Sequence, residues 1–308
     1  MTATIINSQP NLSTKIINTL LAIKPIAEFA KSRARNMIIT RANKIGVPWQ
    51  ENVNTLQNHD WQSELVRVEN PNLVYPPYYL TSFHAYEKGN LDWQCAWEVE
   101  SAAYSVHSTI YSATPSIEGD RNLRKNYHRV LQEQLQIVPQ RILDLGCGIG
   151  MSTRALKDTY PQAEITGLDL SPYFLAVANY QSRQQNLTGV NWFHGLAENT
   201  TLPSASYDLV STFLMFHELP QSASRAIFAE AYRLLPSGGY FTMMDMNPQS
   251  EVYKKMPRYV FTLLKSTEPY LDQYFGLDVA QELINVGFQE PTITPISVRH
   301  RAIVAQKI

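Results

Sequence analysis

The chain has 308 residues, a formal net charge of −1 at pH 7 and 44% hydrophobic residues. It is therefore long and apolar enough for a substantial core, and its near-zero charge excludes a global field that would attract nucleic acid or anionic lipid. The two cysteines, Cys95 and Cys147, are too few for a disulfide framework, which favours a reducing, cytoplasmic setting. The sequence predicts neither a signal peptide nor a membrane span.

The N-terminal segment is the most basic part of the chain. Residues 14–47 contain seven Lys and Arg residues against one acid, Glu28. Apolar spacing predicts a helix over 14–45, with a kink or break at Pro25. Such a helix either makes peripheral contact with an acidic membrane surface or packs on the acidic remainder of the chain, and both interpretations stay open.

Residues 71–111 are rich in aromatic side chains, which account for nine of these 41 residues. A helix predicted over 92–111 has one face with both aromatic and polar residues, namely Trp93, Trp97, Glu100, Tyr104, His107 and Tyr111. An aromatic stripe is typical of core packing, but the buried polar groups within it need partners. This face therefore predicts either a core contact or the lining of a substrate pocket.

From residue 119 the pattern alternates between strands and helices, after a helix predicted over 120–136. The predicted strands are 141–145, 164–168, 190–194, 207–213, 239–245, 288–294 and 297–305. The predicted helices between them are 151–159, 172–186, 221–235 and 271–286. This alternation is typical of an α/β fold with a doubly wound, mostly parallel sheet. The short connection before the last strand allows a hairpin, so one strand can be antiparallel.

The stretch RILDLGCGIG, residues 141–150, ends a buried strand with an acid and a glycine loop. Glycines let a ligand approach the backbone closely, as in dinucleotide-binding folds. However, Met151 stands where the last glycine of that fingerprint would be, and Asp144 would repel a pyrophosphate. A ligand with an ammonium group would gain from the same carboxylate.

A second acid, Asp169, ends the next strand in GLDLSP. A carboxylate at this position accepts hydrogen bonds from ribose hydroxyls, whether the ligand is NAD or another adenosine compound. Asp169 therefore predicts a ribose without choosing between these ligands.

In order, the motifs DLGCGIG, GLDLSP, GLAENTTLP, YDLVSTFLMFHEL and RLLPSGGYFTMMD resemble those of class I S-adenosylmethionine-dependent methyltransferases. The resemblance covers about residues 120–308. It implies S-adenosylmethionine as cofactor and a Rossmann-like seven-stranded sheet in the order 3-2-1-4-5-7-6, with strand 7 antiparallel. We expect a cofactor-binding core over 119–308 and a mainly helical, aromatic-rich N-terminal cap over 1–118 that selects the substrate.

The resemblance also implies roles for the matched positions. The implied cofactor-binding residues are Asp144, Gly146, Cys147, Gly148, Asp169, Leu170, Ala197, Glu198, Phe213 and Leu214. Asp144 would lie near the ammonium, Asp169 at the ribose, and Ala197 and Glu198 beside the base. One departure is Leu196, because many relatives have an acid before the Ala-Glu pair; polar contact with adenine would then come from Glu198 or from backbone.

His217 and Glu218 follow the fourth strand and are the first candidates for a catalytic base, although His217 could equally be structural. Tyr78 and His84 in the aromatic segment are further catalytic candidates. The candidate substrate-binding residues are Tyr79, Trp97, Glu100, Tyr104, His107, Met256 and Tyr259. No metal site is predicted, since the seven histidines are scattered and form no His-x-x-x-His motif.

These observations predict a methyltransferase acting on a small, aromatic or apolar metabolite, of the kind found in secondary metabolism, with no nucleic-acid partner. A non-catalytic binding or regulatory protein on the same fold is one alternative. A NAD-linked oxidoreductase is another, against which Asp144 and Met151 argue. The acceptor atom and the oligomeric state are not readable from the sequence.

Overall fold

A computed structural model describes residues 24–84 and 86–308, with side chains described for Phe29 and from Ser32 onward, apart from residue 85. Residues 14–23 of the predicted basic helix lie outside the described residues, so the predicted kink or break at Pro25 falls at the edge of the described chain. Within the described residues, no helix combines the length and apolar character needed to cross a membrane.

The described chain begins with helices and then alternates between strands and helices. The helices are α1 (Lys24–Lys44), α2 (Trp49–Gln57), α3 (Trp61–Val66), α4 (Trp93–His107), α5 (Glu118–Gln134), α6 (Met151–Thr159), α7 (Pro172–Gln184), α8 (Gln221–Leu234), α9 (Glu251–Lys254), α10 (Arg258–Lys265), α11 (Leu271–Phe275) and α12 (Val279–Val286). Short 3-10 helices lie at Pro77–Leu80 and Phe216–Glu218. The strands are β1 (Arg141–Leu145), β2 (Glu164–Asp169), β3 (Val190–His194), β4 (Leu209–Phe213), β5 (Tyr240–Met246), β6 (Thr292–Pro295) and β7 (His300–Gln306).

The seven strands form one sheet in the order β3-β2-β1-β4-β5-β7-β6. Strands β1 to β5 pair in parallel, whereas β7 is antiparallel to both β5 and β6. The predicted order and the antiparallel seventh strand are confirmed. Because β1 to β5 run in parallel, their carboxyl ends meet at one edge, where ligands bind in such sheets.

Helices cover both faces of the sheet, which explains why β4 is buried along its whole length. On one face, Leu143, Val210 and Phe241 pack with residues of α8 and α12. On the other face, Ile142 and Leu209 pack with residues of α5 and α6. The alternation of Ile142 and Leu143 between faces turns Asp144 toward the α5 and α6 side.

The N-terminal helices form two further apolar clusters. Trp61 of α3 and Ala96 of α4 pack on Phe174 of α7, while Trp49 of α2 packs with Ala42 of α1. Helix α4 ends at His107, four residues before the predicted end at 111.

The C-terminal half differs from the prediction in three places, one of which is strand β6, predicted over 288–294 and found at Thr292–Pro295. The single helix predicted over 271–286 is two helices, because Gly276 closes α11 and the Asp278 side chain caps α12 by accepting from the backbone N–H of Gln281. Helices α9 and α10 fill the segment after β5, where the sequence predicted no helix but placed the substrate-binding candidates Met256 and Tyr259.

Candidate active site

The glycine loop after β1 turns through left-handed backbone at Gly146, Gly148 and Gly150, with φ of 67°, 54° and 82°. A side chain is strained in this conformation, and a Cβ at Gly146 would lie 2.5 Å from Sδ of Met215. Nothing lies within 4 Å of the position a Cβ would take at Gly148. The loop therefore exposes bare backbone at Gly148, as close approach by a ligand requires.

Asp144 is fully buried beneath this loop. Its Oδ2 accepts hydrogen bonds from the Ser152 and Thr153 hydroxyls at 2.7 and 2.6 Å. Its Oδ1 is buried and has no hydrogen-bond partner among the described residues. Burial raises the pKa of Asp144 to about 6. An unpartnered carboxylate oxygen is costly, so this atom fits a ligand that brings a cationic donor.

Asp169 at the end of β2 shapes the same loop. Its Oδ2 accepts from the Gly148 backbone N–H at 2.7 Å, and its Oδ1 accepts from that of Ser171 at 2.8 Å. Burial raises the pKa of Asp169 to about 6. Each oxygen retains a lone pair, so the carboxylate can still accept hydroxyl donors.

The segment after β3 lies near the aromatic N-terminal residues. Ala197 packs into the core and Glu198 is half-buried. The Tyr78 hydroxyl donates a hydrogen bond to Oε1 of Glu198, and the Tyr78 ring packs edge-on against Tyr270. Tyr78 therefore contacts a predicted base-binding residue. Leu170 is buried in the loop after β2, where its carbonyl lies 3.1 Å from Nε2 of His194.

The end of β4 brings a cation close to Asp144. Leu214 follows Phe213 with a left-handed φ of 57°, an unusual conformation for a leucine. The Arg124 guanidinium of α5 lies 4.2 Å from the centre of the Phe213 ring, and its Nε donates to Asp120 at 2.8 Å. Arg124 is also close enough to Asp144 to oppose the rise of its pKa.

His217 forms a buried pair with Asp245 of β5. Nδ1 of His217 lies 2.8 Å from Oδ1 of Asp245, whose Oδ2 accepts from the backbone N–H of Phe216 at 2.8 Å. Burial opposes ionisation, but the charge and hydrogen bond of Asp245 raise the pKa of His217 to about 10. Because a carboxylate only accepts, Asp245 fixes a proton on Nδ1 and directs Nε2 away from itself.

Three further side chains lie close to His217. Oε2 of Glu268 lies 3.6 Å from it, and Nε2 of His84 lies 3.7 Å from Oε1 of Glu218 and 3.8 Å from Oε1 of Glu268. Burial raises the pKa of Glu218 to about 8 and also raises that of Glu268. We call His84, His217, Glu218 and Glu268 the His/Glu cluster.

Asn90 and Tyr79 connect this cluster with the cofactor side. The Asn90 side-chain amide donates to Oε2 of Glu218 at 3.1 Å, and the backbone carbonyl of Asn90 accepts from the Ser171 hydroxyl at 2.6 Å. Burial and the charges of Asp169 and Glu218 raise the pKa of Tyr79 well above its usual value. Tyr79 therefore lies near the acids of both regions.

Other predicted substrate-binding residues of α4 are engaged in helix packing. The carboxylate of Glu100 accepts from Tyr104 at 3.3 Å and from Gln181 at 3.4 Å, while Nδ1 of His107 lies 2.7 Å from Asp120. Trp97 packs on Trp93. Glu100, Tyr104 and His107 thus have partners within the helical layers, whereas Nε1 of Trp97 is buried without a hydrogen-bond partner among the described residues. The structure does not bring these side chains to the His/Glu cluster.

The remaining candidates divide by exposure. Met256 is half-buried against the core, whereas Tyr259 is 46% exposed. The Cys147 thiol is buried and faces Gly167 of β2, so only the backbone of Cys147 takes part in the loop surface.

Sequence reasoning missed Asp245, Glu268, Asn90 and Arg124. The acid in the apolar run YFTMMD was a usable signal for Asp245, since a buried acid needs a charged or hydrogen-bonding partner. Glu268 and Asn90 lie in irregular segments, and Arg124 is one of several bases on α5. No local pattern distinguishes these three residues.

Known methyltransferases resemble this chain in sequence and in fold. A methyltransferase domain family matches residues 142–239. An uncharacterized methyltransferase of Synechocystis sp. is 30% identical over 177 residues, which cover 57% of this chain and 78% of the relative. The phthiotriol/phenolphthiotriol dimycocerosates methyltransferase 1 of Mycobacterium ulcerans is 31% identical over 137 residues, covering 44% of this chain and 48% of that relative.

A solved structure shares the fold. Phosphoethanolamine N-methyltransferase 2 of Haemonchus contortus, in complex with phosphomonomethylethanolamine and S-adenosylhomocysteine, aligns with a TM-score of 0.54 at 15% identity. The alignment covers 71% of this chain and 60% of that chain. The chain belongs to the class I S-adenosylmethionine-dependent methyltransferases. Its cofactor is S-adenosylmethionine.

Proposed function

We propose that the protein methylates a hydroxyl group of a small apolar metabolite bound between the strand ends and the aromatic N-terminal segment. The observation that carries this proposal is the orientation of His217. Its Nδ1 is held by Asp245 at 2.8 Å, and its Nε2 faces Glu268 of the His/Glu cluster. A hydroxyl must lose its proton on methylation, and it donates a hydrogen bond readily to a carboxylate such as Glu218, whose ionised form the neighbouring His217 charge favours.

The residues of the glycine loop and strand ends suit the two ends of the cofactor. The free Oδ1 of Asp144 would accept from the ammonium of the methionine part, and Arg124 would hold its carboxylate. Asp169 would accept from the ribose, with Leu170, Ala197 and Glu198 around the base. Gly146 and Gly148 would leave room for the part of the cofactor between the ammonium and the ribose. Phe213 and Leu214 would border that part of the cofactor.

When bound, S-adenosylmethionine supplies an electrophilic methyl carbon: its bond to the acceptor oxygen forms as the carbon–sulfur bond breaks, the electron pair stays on sulfur, and the hydroxyl proton is released to solvent. The protein's part is to align the acceptor. Glu218 would accept its hydrogen bond and Nε2–H of His217 would donate to its oxygen, with Asp245 and Asn90 holding these two side chains in position.

An apolar acceptor suits the neighbouring side chains. Tyr78, Tyr79 and Tyr270 offer ring surfaces near the cluster, and Met215 and Met256 pack half-buried against the core. The relative from Mycobacterium ulcerans is named for phthiotriol and phenolphthiotriol dimycocerosates. In this proposal, residues 1–118 select the acceptor and residues 119–308 hold the cofactor.

The test is transfer of a labelled methyl group from S-adenosylmethionine to a panel of apolar phenols, alcohols, carboxylic acids, amines and thiols. Label in a phenol or alcohol product would support the proposal, whereas transfer to amines or thiols alone would contradict it. If S-adenosylhomocysteine bound but no acceptor in the panel were methylated, the non-catalytic alternative would be favoured.

A further inference from the structure

The His/Glu cluster has the composition of a metal site, although its members are far apart in the sequence. Ligand atoms of His84, His217 and Glu268 all lie within 4.8 Å of one another. We propose that these three side chains bind one divalent transition-metal ion, with Glu218 beside it and an open position for the acceptor's oxygen. With the ion bound, the acceptor's oxygen would contact the ion in place of Nε2 of His217. That part rests on the proposed function; the ion site itself does not.

The distances between the ligand atoms are close to those of a metal site. Nε2 of His217 lies 3.6 Å from Oε2 of Glu268, and Nε2 of His84 lies 3.8 Å from Oε1 of the same carboxylate. Tetrahedral ligands with bonds of about 2.0–2.1 Å are separated by about 3.3 Å. The three ligand atoms lie within 4.8 Å of one another, so side-chain movements of up to about 1.5 Å would bring them around one ion.

The surroundings of His217 match those of a metal-bound histidine. Metal-ligating histidines usually donate the other ring N–H to a carboxylate, which fixes the ring and raises its basicity. Asp245 accepts from Nδ1 of His217 at 2.8 Å and is itself held by backbone N–H donors of Phe216 and Met246. Nε2 is thereby left as the ligand atom.

Glu268 supplies a carboxylate oxygen that needs a positive partner. Its Oε2 is buried and accepts no hydrogen bond from the described residues. Within the described part of the chain, the ion-pair partners of Glu268 are His84 and His217. A buried carboxylate oxygen without a charged partner costs free energy, and a divalent cation would be such a partner.

A backbone hydrogen bond fixes the position of His84. His84 has a left-handed φ of 47°, and its N–H donates to the carbonyl of Thr267 at 2.9 Å. This bond joins the aromatic-rich segment 71–111 to Thr267, the residue before Glu268. A non-glycine residue held in this region points to a positional requirement on its side chain.

Two imidazoles and a carboxylate favour zinc and similar ions over magnesium or calcium, which prefer oxygen ligands. Three protein ligands with one open position are typical of catalytic zinc sites. We therefore choose Zn²⁺ as the probe and Mg²⁺ as the comparison ion.

The experiment is calorimetric titration of Zn²⁺ and Mg²⁺ into the chelator-treated full chain without acceptor. We expect one Zn²⁺ per chain in the micromolar range or tighter and at least a 100-fold weaker response to Mg²⁺. His84→Gln and Glu268→Gln should each weaken Zn²⁺ binding tenfold or more. His59→Gln is the matched control, because His59 pairs with Glu64 outside the cluster.

Each variant is also titrated with S-adenosylhomocysteine, so that loss of folding is not mistaken for loss of a ligand. Absence of Zn²⁺ binding in a chain that binds S-adenosylhomocysteine would overturn the metal site. Equal Zn²⁺ affinity in the wild type and in both cluster variants would overturn it as well. Neither titration uses an acceptor, so failure of the proposed methylation reaction would remain a separate result.

Discussion

The cofactor side and the acceptor side of the candidate site are built in different ways. Asp144, the glycine loop and Asp169 come from two consecutive strand–loop units, and backbone N–H groups fix their arrangement. The His/Glu cluster instead draws on segments separated by up to 184 residues between His84 and Glu268. Local motifs can therefore describe the first region, whereas only the folded chain assembles the second.

The two regions should also respond differently to substitution. Changes on the cofactor side should weaken S-adenosylhomocysteine binding, while changes in the cluster should reduce turnover at saturating cofactor. The following predictions, from the largest expected effect to the smallest, test this separation.

His217→Asn should lower kcat with a hydroxyl acceptor by about 100-fold, because the acceptor loses the group that aligns it. The affinity for S-adenosylhomocysteine should stay within about twofold of wild type, a difference below about 0.4 kcal/mol. Steady-state rates and calorimetry measure the two quantities. A large loss of cofactor affinity with unchanged kcat would reverse the assignment of the two regions.

Asp144→Asn should weaken S-adenosylhomocysteine binding by about 10- to 100-fold, because a charged hydrogen bond to the ammonium contributes about 1.5–3 kcal/mol. Methylthioadenosine, which lacks the amino-acid part, should bind the variant and the wild type equally.

Asp158→Asn is the control for this change, since Asp158 is exposed on α6. If both ligands lost affinity equally in Asp144→Asn, Asp144 would not be the ammonium-binding residue.

The affinity for S-adenosylhomocysteine should fall by about tenfold between pH 7.5 and pH 5. Burial raises the pKa of Asp144 to about 6, so protonation removes its charge as the pH falls through that value. Asp169, with a pKa also raised to about 6, acts in the same direction. Calorimetry across this range should show a shallower pH dependence in Asp144→Asn; an unchanged profile would contradict a titrating Asp144.

Tyr78→Phe should weaken S-adenosylhomocysteine binding by about fivefold, because Glu198 loses one hydrogen bond of about 1 kcal/mol at its contact with the N-terminal segment. Tyr111→Phe is the matched control, since the Tyr111 hydroxyl donates to the carbonyl of Ile296 away from the cluster. A tenfold drop in kcat with intact cofactor affinity would instead return Tyr78 to the catalytic role that the sequence suggested.

The fold was largely predictable because its signals are local. Alternating strand and helix periods, the Ser171-Pro172 helix start and the glycine loop each specify their own segment, and the sheet order follows from the family resemblance. The division of the last predicted helix at Gly276 was missed because apolar spacing continues across it.

The acceptor side was predictable only in part. His217 and Glu218 follow a strand end, so their position was readable, and His84 was included among the aromatic residues of the N-terminal segment. Their connection through Asp245 and Glu268 depends on tertiary contacts that no spacing encodes. Spacing likewise does not show that Glu100 and His107 have partners on other helices, Gln181 and Asp120. For this reason the sequence predicted both residues as part of a substrate pocket.

A crystal structure of the complex with S-adenosylhomocysteine would test the division into two regions most directly. We expect the ammonium on the free oxygen of Asp144, the ribose on Asp169 and the sulfur facing His217 and the rest of the His/Glu cluster. A complex in which the sulfur faces away from this cluster would contradict the assignment of the acceptor side.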